Sequence, residues 1–191
     1  LHLSIRRQRQ MCIRDRLDSV QWGITGYVLA LAMIIPVAGW LINHFNGKQV
    51  FISASILFGV ASLFVGVSWN IETFILFRVI QGLSGGIITT VMFSLLIKTT
   101  GQEHIGKVMA IVSTPMILGP ILGPVIGGFI IHYATWRWMF FINIVVVVIA
   151  IMLQIKFLPN FKPLNKDKSL DVIGVVAVSY THLTLPTNRE V

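Results

Sequence analysis

The sequence predicts an all-α, polytopic membrane protein, and three observations support this prediction. Of the 191 residues, 55% are hydrophobic and 12% are charged, which is about half the charged fraction of an average soluble domain. Mean hydropathy is high, at +0.82. Apolar runs of about 20 residues, the length that crosses a bilayer, follow one another with short polar connections between them.

The stretch 115–128 contains three prolines and four glycines within an uncharged run from 108 to 131. In water, prolines and glycines at this density would break a helix, yet the stretch is too apolar for a loop. A membrane helix satisfies both facts, because lipid and neighbouring helices hold the segment together. Gly119, Gly123 and Gly127 then share one face, and this glycine strip predicts a closely packed partner helix.

We predict five complete membrane spans and the start of a sixth. They are 20–41, 50–69, 74–97, 108–131, 139–155 and, incomplete, 170–177. The segments 43–49, 98–107 and 156–169 are predicted loops on one side of the membrane. Because that side carries seven lysines and the other side only Arg137, the positive-inside rule assigns it to the cytoplasm. The lysines are Lys48, Lys98, Lys107, Lys156, Lys162, Lys166 and Lys168.

The two ends, 1–16 and 178–191, look like translated sequencing-adapter read-through, and we exclude them from fold reasoning. The alternative is a basic amphipathic arm and a genuine polar tail. If the exclusion holds, 17–177 is an internal piece of a longer protein. Half of the net charge of +8 comes from the two ends. The single cysteine, Cys12, excludes an intrachain disulfide and a cysteine metal site.

Arg78 is the one charge well inside a predicted span, with Gln81 three residues further on. Burying a guanidinium at a helix centre costs at least about 2.5 to 3.5 kcal/mol, so this side chain should face protein or a wet cavity. One reading is an arginine that couples to protons or binds substrate. The other is an arginine near enough to the outer surface to extend its head group into water.

Other chemistry has little support in the sequence. No Asp or Glu lies deep inside a complete predicted span. We find no metal-ligand spacing, no nucleophile with a base at helical spacing and no phosphate-binding loop. The sequence therefore predicts that the protein is not an enzyme and has no cofactor, no metal and no nucleic-acid partner.

Five motifs, in order along 17–177, resemble those of the major facilitator superfamily, and in particular its fourteen-helix drug:proton antiporter group. They are the cytoplasmic loop motif at 39–48, with Gly39, Leu41, Asn43, His44, Gly47 and Lys48; Arg78-x-x-Gln81-Gly82-x-x-Gly85 on the fourth helix; the antiporter signature Gly119-Pro120-x-x-Gly123-Pro124-x-x-Gly127-Gly128; the aromatic segment 136–143; and Leu170-Asp171-x-x-Gly174.

The resemblance implies a partial N-terminal six-helix bundle, made of helices two to six and the start of seven. The second helical half of the transporter would then be the partner of the glycine strip, and Arg78 would take part in proton coupling. The loop motif departs from the family pattern, since Asn43 and His44 stand where aspartate and arginine are usual and Gly47 replaces a basic residue. A charged latch to a helix end is therefore not expected, and Lys48 alone keeps its sign.

The function implied is a secondary transporter of the bacterial inner membrane that exports small amphipathic or cationic compounds in exchange for protons, by rocking two helix bundles about a central cavity. Possible cavity-lining residues are Thr25, Tyr27, Met33 and Met116. The alternatives are a facilitator carrier for a nutrient or metabolite, and a membrane scaffold or enzyme subunit that transports nothing.

Overall fold

The computed structural model describes residues 21–135 and 137–160, without the side chains of 101–103. The predicted sixth span and both chain ends lie outside these residues. All regular structure in the described ranges is helical, which confirms the all-α class. The helices are α1 (Gln21–Met33), α2 (Ile35–His44), α3 (Gly47–Val67), α4 (Ile71–Tyr133) and α5 (Trp138–Phe157).

The described helices confirm a multi-pass membrane protein. Four segments are long and apolar enough to cross a bilayer: Gly47–Val67, Ile71–Thr100, His104–Tyr133 and Trp138–Phe157. Helices α1 and α2 together meet the same criteria as one span with a 42° bend. These five segments correspond one to one with the five complete spans expected from the sequence.

The bend between α1 and α2 has an identifiable cause in Pro36, which lies in the first turn of α2. Proline has no N–H to donate to the preceding turn, and its ring crowds the carbonyl four residues earlier. The backbone stays connected around the bend, because the N–H of Ile34 donates to the carbonyl of Ala30 and that of Ala38 to Ile34. The first predicted span is therefore one broken helix.

The predicted loop at 98–107 is wrong in its local conformation, because α4 is helical through this segment and runs for 63 residues. The segment is mostly polar and contains no proline but two glycines, Gly101 and Gly106. Polarity alone does not break a helical hydrogen-bond ladder. Thr99 fits the helix by donating its hydroxyl to the carbonyl of Leu95 at 3.0 Å.

Helix α4 must nevertheless reverse its direction. A straight helix of this length would be about 95 Å long and would place Arg78 and Tyr133 about 80 Å apart. The seven residues from Tyr133 to Phe140 can bridge at most about 25 Å, yet the ring centroid of Phe140 lies 4.7 Å from the Arg78 guanidinium carbon. The path of α4 therefore turns back between Arg78 and Tyr133.

Helices α3 and α5 are antiparallel neighbours that are joined at both ends. At one end, Lys48 Nζ donates to the carbonyl of Ile155 in the last turns of α5, at 3.0 Å. At the other, Arg137 Nη2 donates to the carbonyl of Ser68, the residue that caps α3, at 3.3 Å. Each contact places a cation at a helix C-terminus, where the helix dipole favours it. The Lys48 contact also places the connections after α2 and after α5 at one end of the bundle, which we call the lysine-rich end.

At the lysine-rich end, α2, α3 and α4 meet in a small buried core. Its members are Ile42, Val50, Val91 and Leu95, and four partly buried residues pack against them: Leu41, Phe51, Ile87 and Leu158. Because Leu158 directly follows α5, this core connects four of the five helices.

A polar pair lies between α3 and α5 near the same end. Gln154 Nε2 donates to Ser55 Oγ at 3.0 Å, and Ser55 is buried. A double-mutant cycle with Ser55→Ala and Gln154→Leu is expected to give a coupling free energy of about 0.6 kcal/mol and no more than about 1.7 kcal/mol, the average and the maximum found for such pairs in a membrane protein. The measurement is reversible unfolding of the full-length protein in detergent. Ser53→Ala with Gln154→Leu is the control, because the Ser53 hydroxyl donates to the carbonyl of Val50; equal coupling in both cycles would contradict the pair.

Candidate functional site around Arg78

The first part of α4 carries Arg78 about 10 Å from the helix start, and aromatic rings from three helices surround its guanidinium. The guanidinium carbon lies 4.7 Å from the ring centroid of Phe140 on α5, 5.6 Å from that of Phe74 on α4 and 5.7 Å from that of Tyr27 on α1. Cations over aromatic faces at these distances are attracted by the ring quadrupoles, more strongly where water is excluded. We call the three rings the aromatic box.

A line of hydrogen bonds leads from Arg78 into the bundle. Arg78 Nη1 donates to Gln81 Oε1 at 3.3 Å, and Gln81 Nε2 donates to Ser62 Oγ on α3 at 2.7 Å. Gln81 is 1% exposed and Ser62 is fully buried. The amide therefore uses both of its ends, and it connects the cation on α4 to a hydroxyl on α3.

The Arg78 side chain is partly buried, and its contacts favour one of its two readings. Its Nε is buried and has no hydrogen-bond partner among the described residues. An arginine whose head group reached the outer water would not carry a buried nitrogen beneath three rings. The geometry favours the reading in which the guanidinium is held inside the protein as a fixed positive charge.

Close approach of α1 to α4 brings Tyr27 to this site. A Cβ on Gly82 would meet the carbonyl oxygen of Tyr27, and a Cβ on Gly86 would lie 2.6 Å from the carbonyl oxygen of Leu31. Gly82 and Gly86 on α4 are four residues apart, and so are Tyr27 and Leu31 on α1. Residues with this spacing share one face of a helix, so the two backbones are in close contact over more than one turn. A Cβ on Gly85 would lie 3.3 Å from the Tyr27 hydroxyl oxygen.

The structure brings only some of the predicted site residues together. Of the suggested cavity-lining residues, Tyr27 lies in the aromatic box, Met33 is partly buried at the end of α1, and Thr25 and Met116 are exposed. The motif residues Arg78 and Gln81 are in direct contact, as their three-residue spacing on a helix allows.

The antiporter-signature residues lie on the second half of α4, and their glycine strip is open in the structure. A Cβ on Gly119, Gly123 or Gly128 would meet nothing within 4 Å, and one on Gly127 would lie 3.8 Å from Met139 Sδ. Pro120 and Pro124 are exposed in the same half. No helix in the described part of the chain covers the strip, so its partner stays a prediction.

The cytoplasmic loop motif forms the turn between α2 and α3. His44 Nδ1 donates to the carbonyl of Trp40 at 3.1 Å, and the two rings stack at 4.4 Å. Asn46 caps α3 by accepting from the backbone N–H of Lys48 at 3.0 Å. Lys48, the one residue of the motif that keeps its expected charge, binds the end of α5 with its ammonium group.

The remaining residues of the cytoplasmic loop motif lie on α2 and at the start of α3. Leu41 packs against the buried core, Gly47 is buried as the first residue of α3, and Asn43 is partly buried. A Cβ on Gly39 would meet nothing within 4 Å.

Sequence reasoning missed three residues of the site, which are Ser62, Phe74 and Phe140. A single hydroxyl in an apolar span is a weak signal, because serine is tolerated in membrane helices for many reasons. Phe140 lies inside the aromatic segment that resembles the family, and no spacing rule connects it with Arg78, 62 residues earlier in the chain. Among the described residues, no group of three His, Cys, Asp or Glu side chains could hold a metal ion.

Comparison with known proteins assigns the chain to a protein family. The sequence profile of the Major Facilitator Superfamily matches residues 16–180, most of the chain. The chain belongs to this superfamily. Its apolar helices agree with a position in the lipid bilayer.

Two Major Facilitator Superfamily relatives carry names that refer to drug resistance. The chain is 39% identical over 160 residues to "Multidrug resistance protein B homolog" of Mycobacterium tuberculosis (strain CDC 1551 / Oshkosh), covering 84% of the chain and 29% of the relative. It is 35% identical over 170 residues to "Putative multidrug resistance protein MdtD" of Yersinia pestis (strain Pestoides F), covering 89% of the chain and 36% of the relative. The chain spans about a third of the length of these curated relatives.

Proposed function

We propose that this chain works as part of a proton-coupled multidrug efflux antiporter of the bacterial inner membrane. The observation that supports this most directly is the fixed guanidinium of Arg78, held among aromatic rings and bonded to Gln81 inside a chain related to multidrug resistance proteins. A fixed cation within the bilayer is a functional-site hypothesis by default, because its burial is costly.

The proposed roles follow from the site. Arg78 supplies a permanent positive charge that affects the protonation of a carboxylate elsewhere in the full-length transporter, since arginine itself stays protonated. The open glycine strip of Gly119, Gly123 and Gly127 receives a helix of the second helical half. Substrates are small amphipathic or cationic compounds, and transport proceeds by alternating access between the two halves.

The test is proton-driven export by the full-length transporter in everted membrane vesicles. Acidifying the vesicle interior should drive ethidium uptake, and a protonophore that dissipates the gradient should abolish it. Vesicles from cells without the transporter provide the baseline. Uptake that does not respond to the proton gradient would overturn proton coupling, and absence of ethidium uptake above the baseline would count against multidrug export.

Arg78→Lys is expected to lower the initial rate of ethidium uptake by about tenfold or more, because lysine lacks the planar fork and stacks poorly on aromatic rings. The matched control is Arg137→Lys, since a single donor to the Ser68 carbonyl is within the reach of an ammonium group. A fully active Arg78→Lys variant would favour the other reading, in which the head group of Arg78 lies in water.

A further inference from the structure

We infer that Phe140 is the positioning residue that fixes the direction of the Arg78 guanidinium, an inference that rests on the proposed role of Arg78 in transport. Phe140 lies in the first turn of α5 and has the nearest ring of the aromatic box, 4.7 Å from the guanidinium carbon. The ring acts through Arg78 and is not itself a substrate contact.

Burial distinguishes Phe140 from the rest of its helix. Its side chain is 5% exposed, whereas its near neighbours Trp138 and Ile142 are 54% and 44% exposed. Helix α5 therefore turns this one ring into the bundle, between α3 and α4. A large apolar side chain placed against a cation adds more than burial, because the ring face carries negative charge density.

The Phe140 side chain is held at its ring by Phe74 and at its Cβ by Gly66. Phe74 packs edge-on against Phe140, with centroids 6.3 Å apart and an interplanar angle of 86°. On the α3 side, a Cβ on Gly66 would lie 3.6 Å from Phe140 Cβ and 3.1 Å from Phe141. The missing side chain at Gly66 thus leaves the space that the start of α5 fills, and the Phe140 ring stays over Arg78.

Arg78 depends on this ring because its hydrogen bond is weak. The bond from Nη1 to Gln81 Oε1 is 3.3 Å, beyond the usual 2.7 to 3.2 Å of N–H···O bonds. One long bond leaves the guanidinium free to rotate about its own side chain. The ring of Phe140, packed at 4.7 Å, limits that rotation and keeps Nη1 directed at Gln81.

The experiment compares Phe140→Leu, Phe140→Tyr and Phe141→Leu in the full-length protein at matched membrane levels. Leucine keeps apolar volume without a ring face, tyrosine keeps the face, and Phe141→Leu alters the same turn at a ring that packs on Gly66. In everted vesicles, Phe140→Leu should lower the maximal rate of ethidium uptake by about fivefold to thirtyfold, the span between an exposed and a desolvated cation–π contact. Its KM should change less than about twofold, while the other two variants stay within about twofold of the original.

A second readout does not need transport. Phenylglyoxal reacts with accessible guanidinium groups, and mass spectrometry of the peptide locates the adduct. Arg78 should react several-fold faster in Phe140→Leu than in the original protein, Phe140→Tyr or Phe141→Leu. The phenylglyoxal measurement tests the positioning role of Phe140 even if the original protein fails to export ethidium. That failure would overturn only the proposed function.

Two results would overturn the inference. One is equal Arg78 reactivity in Phe140→Leu and the original protein, because the ring would then not shield or direct the guanidinium. The other is equal loss in Phe140→Leu and Phe141→Leu, because the effect would then come from general packing of the turn. The expected result is that Phe140→Leu loses transport rate and exposes Arg78 to phenylglyoxal. Phe140→Tyr should keep both the rate and the Arg78 reactivity of the original protein.

Discussion

Replacing Gly82 with valine is expected to reduce the amount of folded transporter in the membrane to a small fraction of the original level. A Cβ at this position would meet the Tyr27 carbonyl oxygen and lie 3.0 Å from Ala30 Cβ. Because the obstacle is backbone, it cannot rotate away as a side chain would, and α1 must move off α4. Separation of these helices would also remove Tyr27 from the aromatic box.

The control for this result is Gly106→Val, on the same helix, where an added Cβ would meet nothing within 4 Å. Both variants introduce the same β-branched side chain, so intrinsic helix propensity cancels between them. Folded protein is measured by size-exclusion chromatography after mild detergent extraction. If Gly82→Val remained monodisperse at the level of Gly106→Val, the close approach of α1 to α4 would be incorrect.

Gly123→Leu is expected to abolish ethidium export by the full-length transporter without preventing its insertion and folding. An added side chain at Gly123 meets no atom of the described residues within 4 Å, so this part of the chain accommodates it. The proposed helix of the second half would not, since leucine fills the space that small residues leave for a neighbouring backbone. The expected signature is normal membrane abundance with uptake at the baseline.

A matched variant separates this effect from a general tolerance of leucine on α4. Gly106 is equally open in the structure and lies on the same helix outside the glycine strip, so Gly106→Leu is the matched variant. It should retain most of the original uptake rate. Full drug export by Gly123→Leu, or equal loss in both variants, would contradict a partner that packs on the strip.

Much of the fold could be predicted from the sequence because membrane spans are long, apolar and bounded by charge. The five spans follow from hydropathy. The segment 98–107 could not be predicted in the same way. Its polarity marks a membrane surface, but helical hydrogen bonding continues there, because the segment contains no proline and its two glycines do not interrupt the helix.

The site was only partly predictable, because some of its contacts are local in sequence and others depend on long-range packing. Arg78 and Gln81 are close in sequence, and helical periodicity alone brings them together. Gly82 and Gly86 carried a spacing signal as clear as that of Gly119 and Gly123, yet only the first pair is covered in the described residues. Which helix meets which glycine pair depends on long-range packing, and the same is true of Phe140, whose position over Arg78 is set by the reversal of α4.

The two contacts that join α3 to α5 differ in what they require of each partner. Lys48 and Arg137 are the donors, while Ile155 and Ser68 contribute peptide oxygens, which every amino acid possesses. Substitutions at the exposed acceptor Ile155 should therefore leave its contact intact, whereas substitutions at the donors should be confined to long basic side chains. Ser68 is constrained for another reason, because it is buried and its own hydroxyl donates to the carbonyl of Val65. A deep mutational scan of the whole transporter would display this asymmetry as tolerance at Ile155 and intolerance at Lys48 and Arg137.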